Sequence, residues 1–326
     1  MEEKAMAINK MMRAALKALS YPDIDMKKNY RIVRQFVNIT HSHILKPFGY
    51  KTWEHRIPNG DHDIPVRIFT PPHGEHAPIL LFFHGGGWVT GNIGSYDKVC
   101  TNMARLTQHR VVSVDYRLAP EYRFPAGLED CYRVALEIFR DNSLLGVDSK
   151  DITLIGDSAG ANLAAAVSLM ARDRGEFLPQ RQILIYPATH FDHTESSPFE
   201  SVRENGTDYL LTAKRICDYM DLYRSVDADL SNPYFAPLMA SDLSNQPRTL
   251  LVTAQYDPLR DEGEAYGMKL RKAGNAVEMH RVRDALHGFF SLPPSFAPVR
   301  ECYEWINEFL KEVSTDAAQV ETVDET

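Results

Sequence analysis

Apolar and polar positions along the chain change period several times, and each change marks an element. In residues 5–19, Ile8, Met12, Ala15 and Leu19 recur at helical spacing with Lys10, Arg13 and Lys17 between them, which predicts an amphipathic helix ended near Pro22. A second helix is predicted from residue 26 to about residue 45. From Tyr50 the period shortens to β-type runs at 51–57, 64–70, 79–83 and 111–115, the first two split by Pro58-Asn59-Gly60-Asp61 as in a hairpin at a sheet edge. Beyond them the chain alternates: helix 126–140, strand 152–156, helix 159–172, strands 182–186 and 249–254, helix 260–273, strand 277–282 and helix 297–312. Such alternation predicts an α/β fold with a mostly parallel, doubly wound sheet covered by helices on both faces. Residues 190–245 break the pattern with Pro, Ser and acidic residues and one predicted helix at 213–223, and they read as an insertion above the sheet.

Composition narrows the possibilities. An apolar share of 44% over 326 residues supplies a sizeable core and is compatible with one embellished domain or two. The net charge is −8, four of the carboxylates standing in the tail as Asp316, Glu321, Asp324 and Glu325. With no basic stripe, the chain lacks the phosphate-neutralising surface of a nucleic-acid binder. The longest aliphatic or aromatic run, 79–83, is far too short for a transmembrane helix. Met1-Glu2-Glu3-Lys4 has neither the basic start nor the apolar stretch of a secretory signal, so the expected location is cytoplasmic. Cys100, Cys131, Cys217 and Cys302 are widely spaced and read as reduced thiols, with no zinc or redox motif.

Two glycine-rich segments fall at strand ends. Gly156-Asp157-Ser158-Ala159-Gly160 fits GxSxG between an apolar strand and an Ala-rich helix. A nucleophile on so sharp a turn requires small neighbours and stands over a helix N-terminus. The alternative is a Gly-rich turn whose serine only caps the helix. His84-Gly85-Gly86-Gly87 follows the strand at 79–83, and its glycines leave N–H groups uncovered to face a negatively charged oxygen. A flexible Gly-rich hairpin is the alternative there. His84 precedes the serine, so it is expected to order the loop rather than act as a base.

Acyl transfer by serine needs a base to take its proton and a carboxylate to hold the imidazole. In hydrolases built on this turn the chain order is serine, acid, histidine. His190 and His193 fall early in the insertion and His280 lies inside a strand, whereas His287 stands just past the last strand, within reach of the other strand ends. Asp257 ends the strand at 249–254, leaving room before His287 for one helix and one strand. Asp261 competes with it, but Pro258 places Asp261 in the first turn of a helix.

These segments, joined by Asp115-Tyr116-Arg117-Leu118-Ala119-Pro120-Glu121, Phe124-Pro125-Ala126, Asp257-Pro258-Leu259-Arg260-Asp261 and His287-Gly288-Phe289, resemble the hormone-sensitive-lipase-like branch of the α/β-hydrolases, which includes bacterial acetyl esterases. The resemblance covers about residues 50–312. It implies an α/β-hydrolase fold with an eight-stranded sheet and a helical cap, Ser158, Asp257 and His287 as a triad, and the N–H groups of Gly85, Gly86 and Ala159 as an oxyanion hole. The chain then divides into N-terminal cap helices (1–48), a catalytic domain (49–189 and 226–312), a cap insertion (190–225) and an acidic tail (313–326).

Two positions depart from the family pattern: Ala161 stands where many members carry Gly, and Trp88 where Phe is frequent. The Trp88 bulk either shortens the acyl pocket or packs into the core; with His84 it is the candidate substrate contact. The implied activity is hydrolysis of acetyl to about hexanoyl esters through an acyl-enzyme, with a small-molecule acyl ester as partner. A non-catalytic small-molecule binding protein, or an amidase, peptidase or dehydratase, uses the same scaffold. No metal or organic cofactor is implied, even by His190-Phe191-Asp192-His193, and nothing in the sequence specifies an oligomeric state.

Overall fold

The computed structural model describes residues 25–41, 51–141 and 145–311. The helix predicted at 5–19 and the acidic tail lie outside the described residues. In chain order the main elements are α1 (Met26–His41), β1 (Lys51–Asn59), β2 (His62–Thr70), β3 (Ile79–Phe83), α2 (Asp97–Thr107), β4 (Arg110–Val114), α3 (Ala126–Arg140), β5 (Ile152–Asp157) and α4 (Ala159–Arg174). They continue with β6 (Arg181–Ile185), α5 (Glu200–Asn205), α6 (Ala213–Tyr223), β7 (Arg248–Tyr256), α7 (Arg260–Lys272), β8 (Val277–Leu286) and α8 (Ala297–Lys311).

Side-chain alternation in the central strands sets the layers. In β3, Ile79, Leu81 and Phe83 face one apolar cluster while Leu80 and Phe82 face the other, and all five are buried. β6 repeats this, with Leu184 on the first side and Ile183 and Ile185 on the second. A sheet apolar on both faces must be covered twice. Leu128 of α3, Leu163 of α4 and Tyr266 of α7 cover the first face, and Val99 of α2 with Val299 and Ile306 of α8 cover the second. The alanines of α4 explain its place: every residue from Ala159 to Ala171 is buried, so the helix is enclosed on all sides rather than amphipathic.

The eight strands run in the order β1-β2-β4-β3-β5-β6-β7-β8. β2 pairs antiparallel with both β1 and β4, and the remaining neighbours are parallel. From β3 the chain moves to β4 on one side and then to β5 on the other, so the order reverses across β3 and β5. In open α/β sheets the crevice at such a reversal is where ligands bind. Both glycine-rich segments leave the carboxyl ends of these two strands.

Three differences from the sequence reading concern the presence or turns of elements. The β1–β2 turn is tighter than Pro58–Asp61, since pairing continues to Asn59↔His62. α2 was not predicted, although Val99, Cys100, Met103 and Ala104 form its buried stripe. Within 190–245, α6 takes the predicted bounds and α5 is an additional short helix.

Candidate active site

Ser158 stands where β5 turns into α4, with φ 55° and ψ −119°. L-residues rarely occupy this region, and holding one there costs about 1–3 kcal/mol. The flanking glycines make the turn possible. A Cβ on Gly160 would lie 2.0 Å from the Phe83 carbonyl oxygen, and one on Gly156 would lie 2.3 Å from that of Gly160. The Ser158 N–H donates to the Ile185 carbonyl at 2.9 Å, pinning the turn to β6.

β8 and β7 deliver the partners. His287, just past β8, has Nε2 2.9 Å from Ser158 Oγ and Nδ1 2.7 Å from Asp257 Oδ2. The carboxylate fixes the proton on Nδ1, which leaves Nε2 to accept from the serine hydroxyl. Asp257 is fully buried after β7, and its Oδ1 accepts the Leu259 N–H at 2.8 Å. Asp261 faces elsewhere: it pairs with Arg260 at 2.8 Å and accepts the Ser201 N–H at 2.7 Å. The other three histidines that follow Ser158 in the chain are also engaged away from it. His193 Nε2 lies 2.5 Å from buried Glu262, His190 stacks on Phe191, and His280 stacks on Trp305.

The glycine-rich loop after β3 requires one correction. The Gly85 N–H donates to Asp157 Oδ1 at 2.8 Å, so it is not directed at an oxygen beside Ser158. Gly86 and Gly87 instead line the cleft with Ser158 and Ala159. Among the described residues, no protein acceptor takes the N–H groups of these two glycines or of Ala159. Gly86 has φ 117°, and a Cβ there would lie 2.2 Å from the Thr90 carbonyl oxygen.

His84 is also corrected as a substrate contact, because it is fully buried. Its Nδ1 donates to the Gly85 carbonyl at 2.8 Å, and its ring stacks on Tyr116, whose hydroxyl donates to the His84 carbonyl at 2.7 Å. Burial holds this imidazole below its usual pKa, hence neutral, and it orders the loop. The Trp88 ring packs parallel to Tyr223 at 4.6 Å and near Phe235, so its bulk goes into an aromatic layer bordering the cleft.

Asp157, which the sequence reading passed over, ties the loop to the serine turn. Besides Gly85 N–H it accepts from the hydroxyls of Tyr96 at 3.1 Å and Tyr186 at 3.3 Å. Burial nevertheless pushes its carboxyl up to about 6. Because this lies above the unfolded value, the associated stabilisation is present below about pH 4 and is lost as pH rises through about 6. The ionised group then costs on the order of 3 kcal/mol, taking 1.4 kcal/mol per unit. Asp157→Asn keeps an acceptor for Gly85. It is expected to melt above the wild type at pH 8 and to lose that advantage at pH 4; an equal difference at both pH values would contradict the assignment.

The cleft above Ser158 has a volume of about 250 Å³. Its far wall comes from the insertion, with Leu210, Leu211, Arg215, Ile216 and Tyr219, none of which the sequence reading selected. The four-residue spacing that puts Arg215 and Tyr219 on one face of α6 is the signal that was available.

A serine on a strand-turn-helix elbow, joined to a histidine and an aspartate from the ends of later strands of a mostly parallel eight-stranded sheet, is the arrangement of an α/β-hydrolase. A family model described as alpha/beta hydrolase fold matches residues 80–291, and the chain belongs to that family. It is 37% identical over 271 residues to an arylesterase of Saccharolobus solfataricus, covering 82% of this chain and 86% of that one. It is 36% identical over 235 residues to an ethyl acetate hydrolase of Pseudomonas putida, covering 71% of this chain and 73% of the other. Among solved structures, an esterase of Pyrobaculum calidifontis superposes with a TM-score of 0.82 at 37% identity, covering 94% of this chain and 99% of that chain.

Proposed function

We propose that this chain is a serine carboxylesterase that hydrolyses short acyl esters, acetyl to about hexanoyl, through an acyl-enzyme. One observation carries the reading: Ser158, His287 and Asp257 are linked at 2.9 and 2.7 Å at the floor of a small cleft. Ser158 Oγ attacks the ester carbonyl carbon as its proton passes to His287 Nε2. Asp257 steadies the imidazolium that forms. The oxyanion is received by the N–H groups of Gly86, Gly87 and Ala159, the last at the positive end of α4. Collapse of the tetrahedral adduct expels the alcohol, which takes the proton from His287. Water, deprotonated by the same nitrogen, then releases the acid.

Supporting features lie around this core. α1 packs against α6 and the turn at Gly94–Tyr96, and Arg34 of α1 donates to the carbonyls of Val89 at 2.7 Å and Ala119 at 2.8 Å. Residues 26–41 and 190–225 thus form the cap of the proposed site, with 51–189 and 226–311 as the catalytic body. A cleft of 250 Å³ favours short acyl groups, because each buried CH₂ adds about 0.8 kcal/mol only until the pocket ends. With 4-nitrophenyl esters of two to twelve carbons, kcat/KM is expected to peak between about two and six. A peak at ten or more would refute the short pocket. Preferential turnover of an acyl amide or a β-hydroxyketone in the same assay would overturn the esterase reading itself.

A further inference from the structure

The cleft wall contributed by α6 carries a cation that the hydrolytic steps above do not use. Arg215, Ile216 and Tyr219 all reach the cleft from one face of that helix. Their position relative to Ser158 is fixed by close packing, since a Cβ on Gly87 would lie 2.5 Å from the Tyr219 ring. Arg215 is half-buried, and its NH1 donates to the Leu210 carbonyl at 2.9 Å. Among the described residues, Nε and NH2 have no protein acceptor and no carboxylate pairs with the guanidinium.

Neighbouring cations are neutralised. Lys214 pairs with Asp218 at 3.1 Å, Arg224 with Asp227 at 2.7 Å, and Arg260 with Glu204 at 2.9 Å. Asp157 is the acidic side chain that borders the cleft, but its oxygens are already occupied by Gly85, Tyr96 and Tyr186. Among the described residues Arg215 is therefore a guanidinium without a carboxylate partner, held by Leu210 and lining a cavity whose other wall holds the serine. A planar anion is the complement of such a group, and the partly apolar walls strengthen the attraction by excluding water.

We propose that Arg215 selects esters carrying a carboxylate within a few bonds of the scissile carbonyl. The inference rests on the ester-hydrolase reading and names the substrate class of that site. The small cleft sets the spacing: a substrate reaching both Ser158 and Arg215 must be short. Two sources supply the same chemistry, a half-ester of a dicarboxylic acid, with the charge on the acyl side, and an acylated hydroxy acid, with it on the alcohol side.

The test compares charged and neutral partners of equal shape. On the acyl side these are 4-nitrophenyl hemiglutarate and 4-nitrophenyl 5-methylhexanoate; on the alcohol side, O-acetyl-lactate and 3-methylbutan-2-yl acetate. In at least one pair the charged-to-neutral ratio of kcat/KM is expected to fall about tenfold or more in Arg215→Met and to recover partly in Arg215→Lys. In wild type the same ratio is expected to decrease in about 0.5 M salt. Ratios within twofold of wild type in both pairs would overturn the proposal and leave Arg215 as a packing residue. Should Arg215→Met fail to fold, competitive inhibition of wild type by glutarate, relieved by salt, supports the proposal, and no inhibition overturns it. Hydrolysis of the neutral esters that vanishes in Ser158→Ala upholds the esterase reading whichever way the ratios fall, whereas turnover of no ester brings down both.

Discussion

Ser158→Ala is expected to lower kcat toward 4-nitrophenyl acetate by about 10⁴ to 10⁶ while leaving the melting temperature unchanged or raised. Removal of Oγ abolishes the attacking atom, so the covalent route is lost rather than slowed. What remains is attack by water on an ester held by the Gly86, Gly87 and Ala159 N–H groups. The fold loses one hydrogen bond, that to His287, and keeps a strained φ of 55° that alanine adopts no more easily than serine. Stopped-flow release of nitrophenol supplies a second readout, since the burst that marks an accumulating acyl-enzyme should vanish. Activity within tenfold of wild type would remove Ser158 from the mechanism.

Asp257→Asn is expected to cost about 10³ to 10⁴ in kcat, and Asp261→Asn less than about fivefold. The two acids stand four residues apart, but the geometry separates them. Asp257 Oδ2 is 2.7 Å from His287 Nδ1 in a fully buried setting, so an amide there presents either a donor that clashes with the Nδ1 proton or an acceptor without charge. In the first case the imidazole adopts the wrong tautomer and Nε2 can no longer accept from Ser158. Asp261 touches Arg260 and Ser201 and has no contact with the imidazole. Steady-state kinetics on both variants, with circular dichroism to check folding, provide the comparison, and the reverse ranking would exchange the two roles.

How much of this was legible before folding differs from residue to residue. Ser158 was legible because GxSxG lies between an apolar strand and a helix whose alanines mark complete burial, so local chemistry and global packing agree. His287 was legible by position, as the histidine just past the last strand. The sheet was legible because β3, β5 and β6 are apolar on both faces, which requires helices above and below. Gly85 was not. Its sequence environment is that of its two neighbours, and only the Asp157 carboxylate arriving from β5 directs its N–H away from the cleft. His84 and Trp88 have aromatic partners, Tyr116 and Tyr223, that are remote in sequence, so their destinations were set by tertiary packing. α2 escaped because its eleven residues follow a glycine-rich loop and its buried stripe is short. Arg215 escaped for a further reason: an arginine on an insertion helix looks like solvated surface until the helix is laid across a cleft.

The attachment of α1 has a bearing on how the chain is made. Arg34 finds its acceptors at Val89, Ala119 and Glu121, all synthesised within the first half of the protein. Met26 and Lys27, in contrast, are held by Asp218 and Asp221, about 190 residues further on. During vectorial synthesis α1 therefore has one berth available early and its second only after α6 has left the ribosome. Domains tend to fold as units when their segments emerge, and apolar surface exposed in the interval invites aggregation. Ile32 and Phe36, each 67% exposed even in the finished protein, sit on that waiting helix. The final docking of α1 thus waits for residues about 190 positions further along the chain, and until they emerge it is held by the Arg34 contacts.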